Sequence, residues 1–174
     1  MRTSLLIGLL AFQSAVATQR PFVLERSRVG PVAIGASAQS VYEAFRGRAK
    51  LVDLQLEGDL SPALELRLVS AQMAPSLVAE IGAAGNMLVV NRIHVLDRSL
   101  RTKEGIGVGS SFGELRGQYT VAWISMGEGS LGARVESLGM TFELDASGRP
   151  ALFSIRDPAQ MPADVRIASI MLTR

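Results

Sequence analysis

Gly109-Ser110-Ser111-Phe112-Gly113 has the form Gly-x-Ser-x-Gly. This spacing places a serine hydroxyl on a sharp strand-to-helix turn, where a neighbouring base can activate it for attack on an acyl group. The chain holds one histidine, His94, so a serine hydrolase here would need Ser111 as nucleophile and His94 as base. In the fold that uses this elbow the histidine follows the serine, and here it precedes it. The alternation of strands with long helices that such a fold requires is missing too. A second chemistry accounts for the same residues without catalysis. Ser111 followed three positions later by Glu114 is a capping box, in which the serine accepts a bond from an unpaired helix amide and the glutamate reaches back to the cap. On this reading Ser111 opens a helix and the chain contains no complete catalytic set. His94 lies between Ile93 and Val95, which face a core, so it belongs to the opposite and partly exposed side of a strand.

The other motifs resolve in the same direction. Gly127-Glu128-Gly129-Ser130-Leu131-Gly132 fits the Gly-x-Gly-x-x-Gly pattern of dinucleotide sites, but such a site must open a helix inside a parallel unit. The residues after these glycines, Ala133 to Ser137, alternate like a strand, so the glycines are expected to form a hairpin loop. With one His and no Cys, a zinc site lacks ligands, and no stretch has the spaced Asp/Asn ladder of a calcium loop. No metal and no cofactor are expected. Asp53, Glu57, Asp59, Glu128 and Glu136 read as a wet strand face and turns rather than as a paired acid and base. Binding is expected of basic residues in polar loops with no fixed period. Arg98, Arg101 and Lys103 precede the second of two similar segments, and Arg26 and Arg28, with Arg20, flank the first. Held side by side by a rigid scaffold, these two stretches would meet an acidic protein partner or an anionic component of the cell envelope.

Two segments of the chain match at a constant offset of 74 residues. Ile34 pairs with Val108, Gly35 with Gly109, Ser37 with Ser111, Val41 with Leu115 and Phe45 with Tyr119. Each reads as an apolar strand ending at a glycine, then a serine cap and a helix of three turns or fewer. Val41, Ala44 and Phe45, and Leu115 and Tyr119, are the expected buried stripes. Helices this short need a sheet to rest on. Alternating segments supply it at 51–57 and 64–68, joined through 59–63, and a second pair of strands is expected at 77–81 and 87–96, joined through 82–86. After the second helix, strands are expected at 120–125, 133–137, 140–144, 151–156 and 165–172. The fold class is therefore α+β, built as two tandem units over about 23–96 and 97–174. A strand, a Gly-x-Ser turn, a short helix and an antiparallel curtain, repeated over residues 29–144, resembles the tandem architecture of the β-lactamase inhibitor protein. It also resembles the single-unit domain of the small outer-membrane assembly lipoproteins. The resemblance implies a non-enzymatic binding or assembly module. The disulfides of the first family and the lipidated cysteine of the second are absent here.

Met1-Arg2-Thr3, the apolar run from Leu5 to Phe12 and Ala15-Val16-Ala17 have the charge, length and small-x-small ending of a secretory signal over 1–17, too short to be read first as a membrane span. Removing 17 of the 174 residues leaves 157, a single-domain length, and takes the net charge from +2 to +1. That near-neutral balance gives little pull toward nucleic acid. The expected product is a periplasmic or secreted protein with no stable membrane span after cleavage, whose partner is a protein. The alternatives are the Ser111/His94 hydrolase and a carrier of an apolar small molecule.

Overall fold

A strand whose apolar residues lie on one side has one face to bury, and eight strands of this chain bury theirs together. The structure is a computed structural model that describes residues 22–174 apart from 57–58, 69–72 and 128. The predicted signal segment, Arg20, Glu57 and Glu128 lie outside the described residues. Strands β4 (Ala49–Leu56), β5 (Asp59–Leu66), β6 (Leu77–Ala84) and β7 (Met87–Val95) form one antiparallel meander, preceded by β1 (Val23–Glu25), β2 (Arg28–Val29), β3 (Val32–Ala33) and helix α1 (Ala38–Ala44). Strand β8 (Arg101–Thr102) and helix α2 (Phe112–Gln118) lead into a second meander of β9 (Trp123–Gly127), β10 (Ser130–Val135), β11 (Met140–Leu144) and β12 (Ile167–Leu172). The two meanders join edge to edge through β7 and β12 into one sheet, in the order β4-β5-β6-β7-β12-β11-β10-β9. A smaller sheet, β3-β2-β1-β8, includes the parallel pair β1 and β8. The architecture is α+β with sheet predominating.

One face of the large sheet is the core. Leu64, Leu66, Ala79, Ile93 and Val95 from the first meander and Ile170, Leu172, Phe142, Met140 and Val135 from the second are buried in one cluster. Val41 and Phe45 of the α1 segment, Phe112 and Leu115 of α2, and Leu24, Val29 and Val32 of the small sheet join it from above. Each helix spans only seven residues, too short to persist in water alone, so packing on the sheet is what maintains them. Ala44, expected in the buried stripe, is exposed; the stripe is carried by Ala38, Val41 and Phe45.

The two Gly-x-Ser turns have matching surroundings. Gly35 and Gly109 both have φ of 87°, a left-handed geometry that glycine adopts without steric cost. Gly35 donates to Val90 O and Val90 donates to Ala36 O, while Gly109 donates to Ile167 O and Ile167 donates to Ser110 O. Ser37 bridges Val89 and Ser111 bridges Arg166. The caps differ. Ser111 forms the full capping box with Glu114, whereas Ser37 makes no side-chain cap bond. The third helical position in α1 is Ser40, whose hydroxyl donates to Ser37 O at 2.8 Å, so no acidic side chain reaches back.

Three other expectations need correction. Residues 59–63 do not connect a hairpin, because Pro62 lies inside β5 opposite Asp53. Pairing of β5 with β6 begins only at Ala63, so Pro62 lies in the part of β5 that has a single neighbour, where proline is tolerated. Residues 151–156 are not a strand, since Pro150–Ser154 form 3-10 turns with Leu152 buried. Pro150 presets the helical φ at the first position. The stretch holding Arg101 is not an irregular loop but β8, a two-residue strand too short to leave a periodic signal.

Candidate functional site

Both helices and the small sheet contribute to the core face, so no described helix or second sheet packs on the opposite face of the large sheet, where Met73 and Pro75 of the β5–β6 connection flank the end that holds Lys50 and Glu65. Cross-strand register places one residue from each strand in a single row on this face. Trp123 pairs with Arg134, Arg134 with Thr141, Thr141 with Met171, Met171 with His94, His94 with Val78, Val78 with Glu65 and Glu65 with Lys50. Seven strand spacings of about 4.8 Å make the row about 34 Å long. Trp123, the single tryptophan, is nearly half exposed at one end.

The middle of this face is polar and tightly connected. Glu80 on β6 is buried, with His94 Nε2 2.5 Å from its Oε1 and Arg92 Nη1 donating to the same oxygen at 3.4 Å. Burial alone would raise the Glu80 pKa, but the His94 hydrogen bond and the charges of Arg92 and His94 outweigh it and hold the carboxyl below its ordinary value of 4.5. On the other side of the central strands Ser169 donates to Glu143. An ionised carboxylate only accepts, so His94 Nε2 carries the proton it gives to Glu80.

The alternative pair of Ser111 and His94 is not brought together by the fold. His94 Nε2 is committed to Glu80, and Ser111 Oγ accepts from Glu114 N at 3.2 Å. Ser111 bridges Arg166 and His94 pairs with Met171, which puts five strand residues, about 16 Å, between their positions along β12.

The five expected binding residues fall in three places. Parallel pairing of Leu24 with Thr102 sets Lys103 beside the β1–β2 turn, so Arg26, Arg28 and Lys103 share one exposed end of the small sheet. Arg101 is half-buried and already satisfied, donating to Ser110 Oγ at 2.8 Å and Gly105 O at 3.4 Å. It holds the Gly-x-Ser turn. Arg98 lies away from them. It flanks a surface cleft of about 600 Å³ with Val108, Gly109, Asp145, Arg166 and Ile167. Arg166 was not singled out from the sequence, because an arginine just before a short apolar strand carries no periodic signal. Glu80 did have one, as an isolated charge in the otherwise apolar run Leu77-Val78-Ala79-Glu80-Ile81.

No helix among the described residues is long and apolar enough to cross a membrane. Comparison with protein-family models and with curated proteins gives no match. Among solved structures, the chain is similar in fold to the uncharacterized protein yfeY from Escherichia coli, with 16% identity, a TM-score of 0.59, and coverage of 89% of this chain and 100% of that one.

Proposed function

We propose that this chain is an exported, non-catalytic module that binds a protein partner of the cell envelope through the uncovered face of its large sheet. The observation that carries the reading is the transverse row from Trp123 to Lys50, with every strand contributing and no described helix or second sheet packed over it. A face about 34 Å wide and one strand length deep, about 17–20 Å, offers on the order of 600 Å². That approaches the roughly 800 Å² each partner contributes to a standard interface. A rigid aromatic at one end and satisfied charges in the middle have the composition of an interface with an anchor and polar specificity.

The tandem reading belongs to the same proposal. The matched hydrogen bonds at Gly35 and Gly109 support it, and so does the joint between the halves. Ile93 pairs with Leu172, His94 with Met171 and Val95 with Ile170. Equating Val90 with Ile167 makes Ile93 the counterpart of Ile170, and Val95 of Leu172. The joint is therefore a two-fold self-pairing centred on His94 and Met171, as expected of two copies of one unit.

The test is affinity capture from the native cell envelope with wild type, Trp123→Arg and Ser125→Arg. Both substitutions are on exposed positions of the row's end strand. A partner retained by wild type and lost by both variants is expected, and undiminished capture by both would overturn the reading. Labelling by a serine-reactive fluorophosphonate that disappears in Ser111→Ala would overturn its non-catalytic part.

A further inference from the structure

We propose that the corner where Arg98 and Arg166 meet around Gly109 is a binding site for a carboxylate of an acidic protein segment. This rests on the chain being a protein-binding module and names the chemistry that one of its corners recognises. Arg98 leaves the end of β7, and its Nε, Cδ and Cζ lie 3.7, 3.8 and 3.9 Å from the point where a side chain on Gly109 would begin. Arg166 approaches the same residue from β12, donating from Nη1 to Gly109 O at 3.3 Å. Two guanidinium groups thus converge on one glycine, and among the described residues neither forms an ion pair. Each guanidinium has five donors in a planar fork suited to carboxylate oxygens. Arg166 commits one of them to Gly109. The bond accepted from Ser111 N at 2.6 Å holds the Glu114 carboxyl below its ordinary value and the charge of Arg166 helps, although that carboxylate is engaged in the capping box. Asp145, the acidic group in the lining, is engaged in its own turn, accepting from Ser147 N at 3.0 Å.

The molecule contains its own control. At Gly35 the backbone geometry and hydrogen bonds are the same, and Arg174, leaving the end of β12, sits over that glycine with Nη2 3.3 Å from the equivalent point. The residue bridged to the cap serine there is Val89, which is buried, in place of Arg166. The turn is complete with a valine at this position, so nothing in the scaffold requires the second arginine. Val108 and Ile167 form an apolar floor beneath the pair, which strengthens a charge-assisted bond relative to open water. An anionic bilayer is the wrong partner, since such binding needs clusters of basic residues and this chain carries a net charge of only +2.

A titration with a short glutamate-rich peptide, followed by the amide resonances of Gly109, Ser110, Ile167 and Ala168, tests the site. Saturable shifts confined to that corner are expected, with roughly tenfold weaker binding in Arg98→Gln/Arg166→Gln and unchanged binding in Arg174→Gln. Arg98→Gln alone disturbs no hydrogen bond of the fold and serves if the double variant does not fold. A glutamine-rich peptide should give no response. Shifts that do not saturate, equal shifts at Gly35, undiminished binding in the arginine variants, or a response to phosphatidylglycerol vesicles but not to the peptide would overturn the proposal. The titration needs no envelope partner, so its failure leaves the sheet-face reading standing, and loss of that reading does not alter the titration.

Discussion

Replacing Glu80 with Gln should destabilise the protein by about 2 kcal/mol near neutral pH, and the cost should fade in acid. The magnitude comes from how far the cluster is removed from water. Exposed ion pairs contribute roughly 0.2–1 kcal/mol, while breaking a fully buried pair costs about 3–5 kcal/mol. The Glu80 side chain is 11% exposed, but His94 is 19% and Arg92 32% exposed, so solvent compensates part of the loss and an intermediate figure applies. For a chain of this size each kcal/mol moves the midpoint about 2–4 °C, so thermal unfolding of Glu80→Gln should occur about 4–8 °C lower. The pH dependence has a definite sign. A carboxyl with a folded pKa below 4.5 contributes stability that is fully present above its unfolded pKa and is lost as pH falls through the folded one. The gap between wild type and variant should therefore hold from neutral pH down to about 5 and narrow below about 4. Urea unfolding at a series of pH values measures it. Equal stabilities at neutral pH, or a gap that persists unchanged near pH 3, would refute the account of Glu80 as an ionised, paired strand residue.

Single contacts elsewhere in the molecule carry further expectations. Ser111→Ala should cost about 1 kcal/mol by removing the capping box, whereas Ser37→Ala should cost almost nothing because its side chain caps nothing; chemical denaturation of the two variants compares them directly. Gly109→Ala and Gly35→Ala should each destabilise by about 1–2 kcal/mol, since both positions require a left-handed φ, and equal midpoints to wild type would contradict that. Phe142→Ala should cost about 3–5 kcal/mol, because its ring is fully buried under the second meander, read as a large drop in thermal midpoint.

What the residues disclosed and what they concealed divide along the range of the interactions. Ser111 with Glu114 is a local contact within one turn, so spacing alone indicated it. Gly35 and Gly109 were legible because only a glycine satisfies the turn without strain. The apolar stretches 77–81 and 87–96 around Gly82 to Asn86 marked a hairpin, and Gly85 with Asn86 is where it turns. By contrast β1, β2, β3 and β8 have two or three residues each, fewer than one full alternation, and their parallel pair forms only because distant segments meet. Pro62 misled because its tolerance depends on where β6 stops pairing, a tertiary fact. Arg166 was invisible for the same reason, since its significance comes from Arg98, which is 68 residues earlier and reaches Gly109 only across the joined sheet.

The differences between the halves are the most informative consequence of the proposed duplication. Residues that the scaffold itself needs should agree across the two-fold relation, and at Gly35 and Gly109 they do. On the uncovered face Glu80, paired with Arg92, corresponds to Glu143, paired with Ser169. Each half thus keeps a glutamate beside its central strand. Their partners diverge, with Arg92 and His94 in the first half where the second has Ser169 and Met171. A fully symmetric platform would accept a partner in two opposite orientations with equal affinity. Placing Arg92 and His94 on one side, Trp123 at one end and Arg166 at one corner removes that equivalence, because the reversed orientation would set the same partner groups against Met171, Lys50 and Val89. Specificity of this kind comes from penalising the wrong arrangement as much as from favouring the right one, and it needs only a few substitutions on a scaffold whose turns and core remain alike.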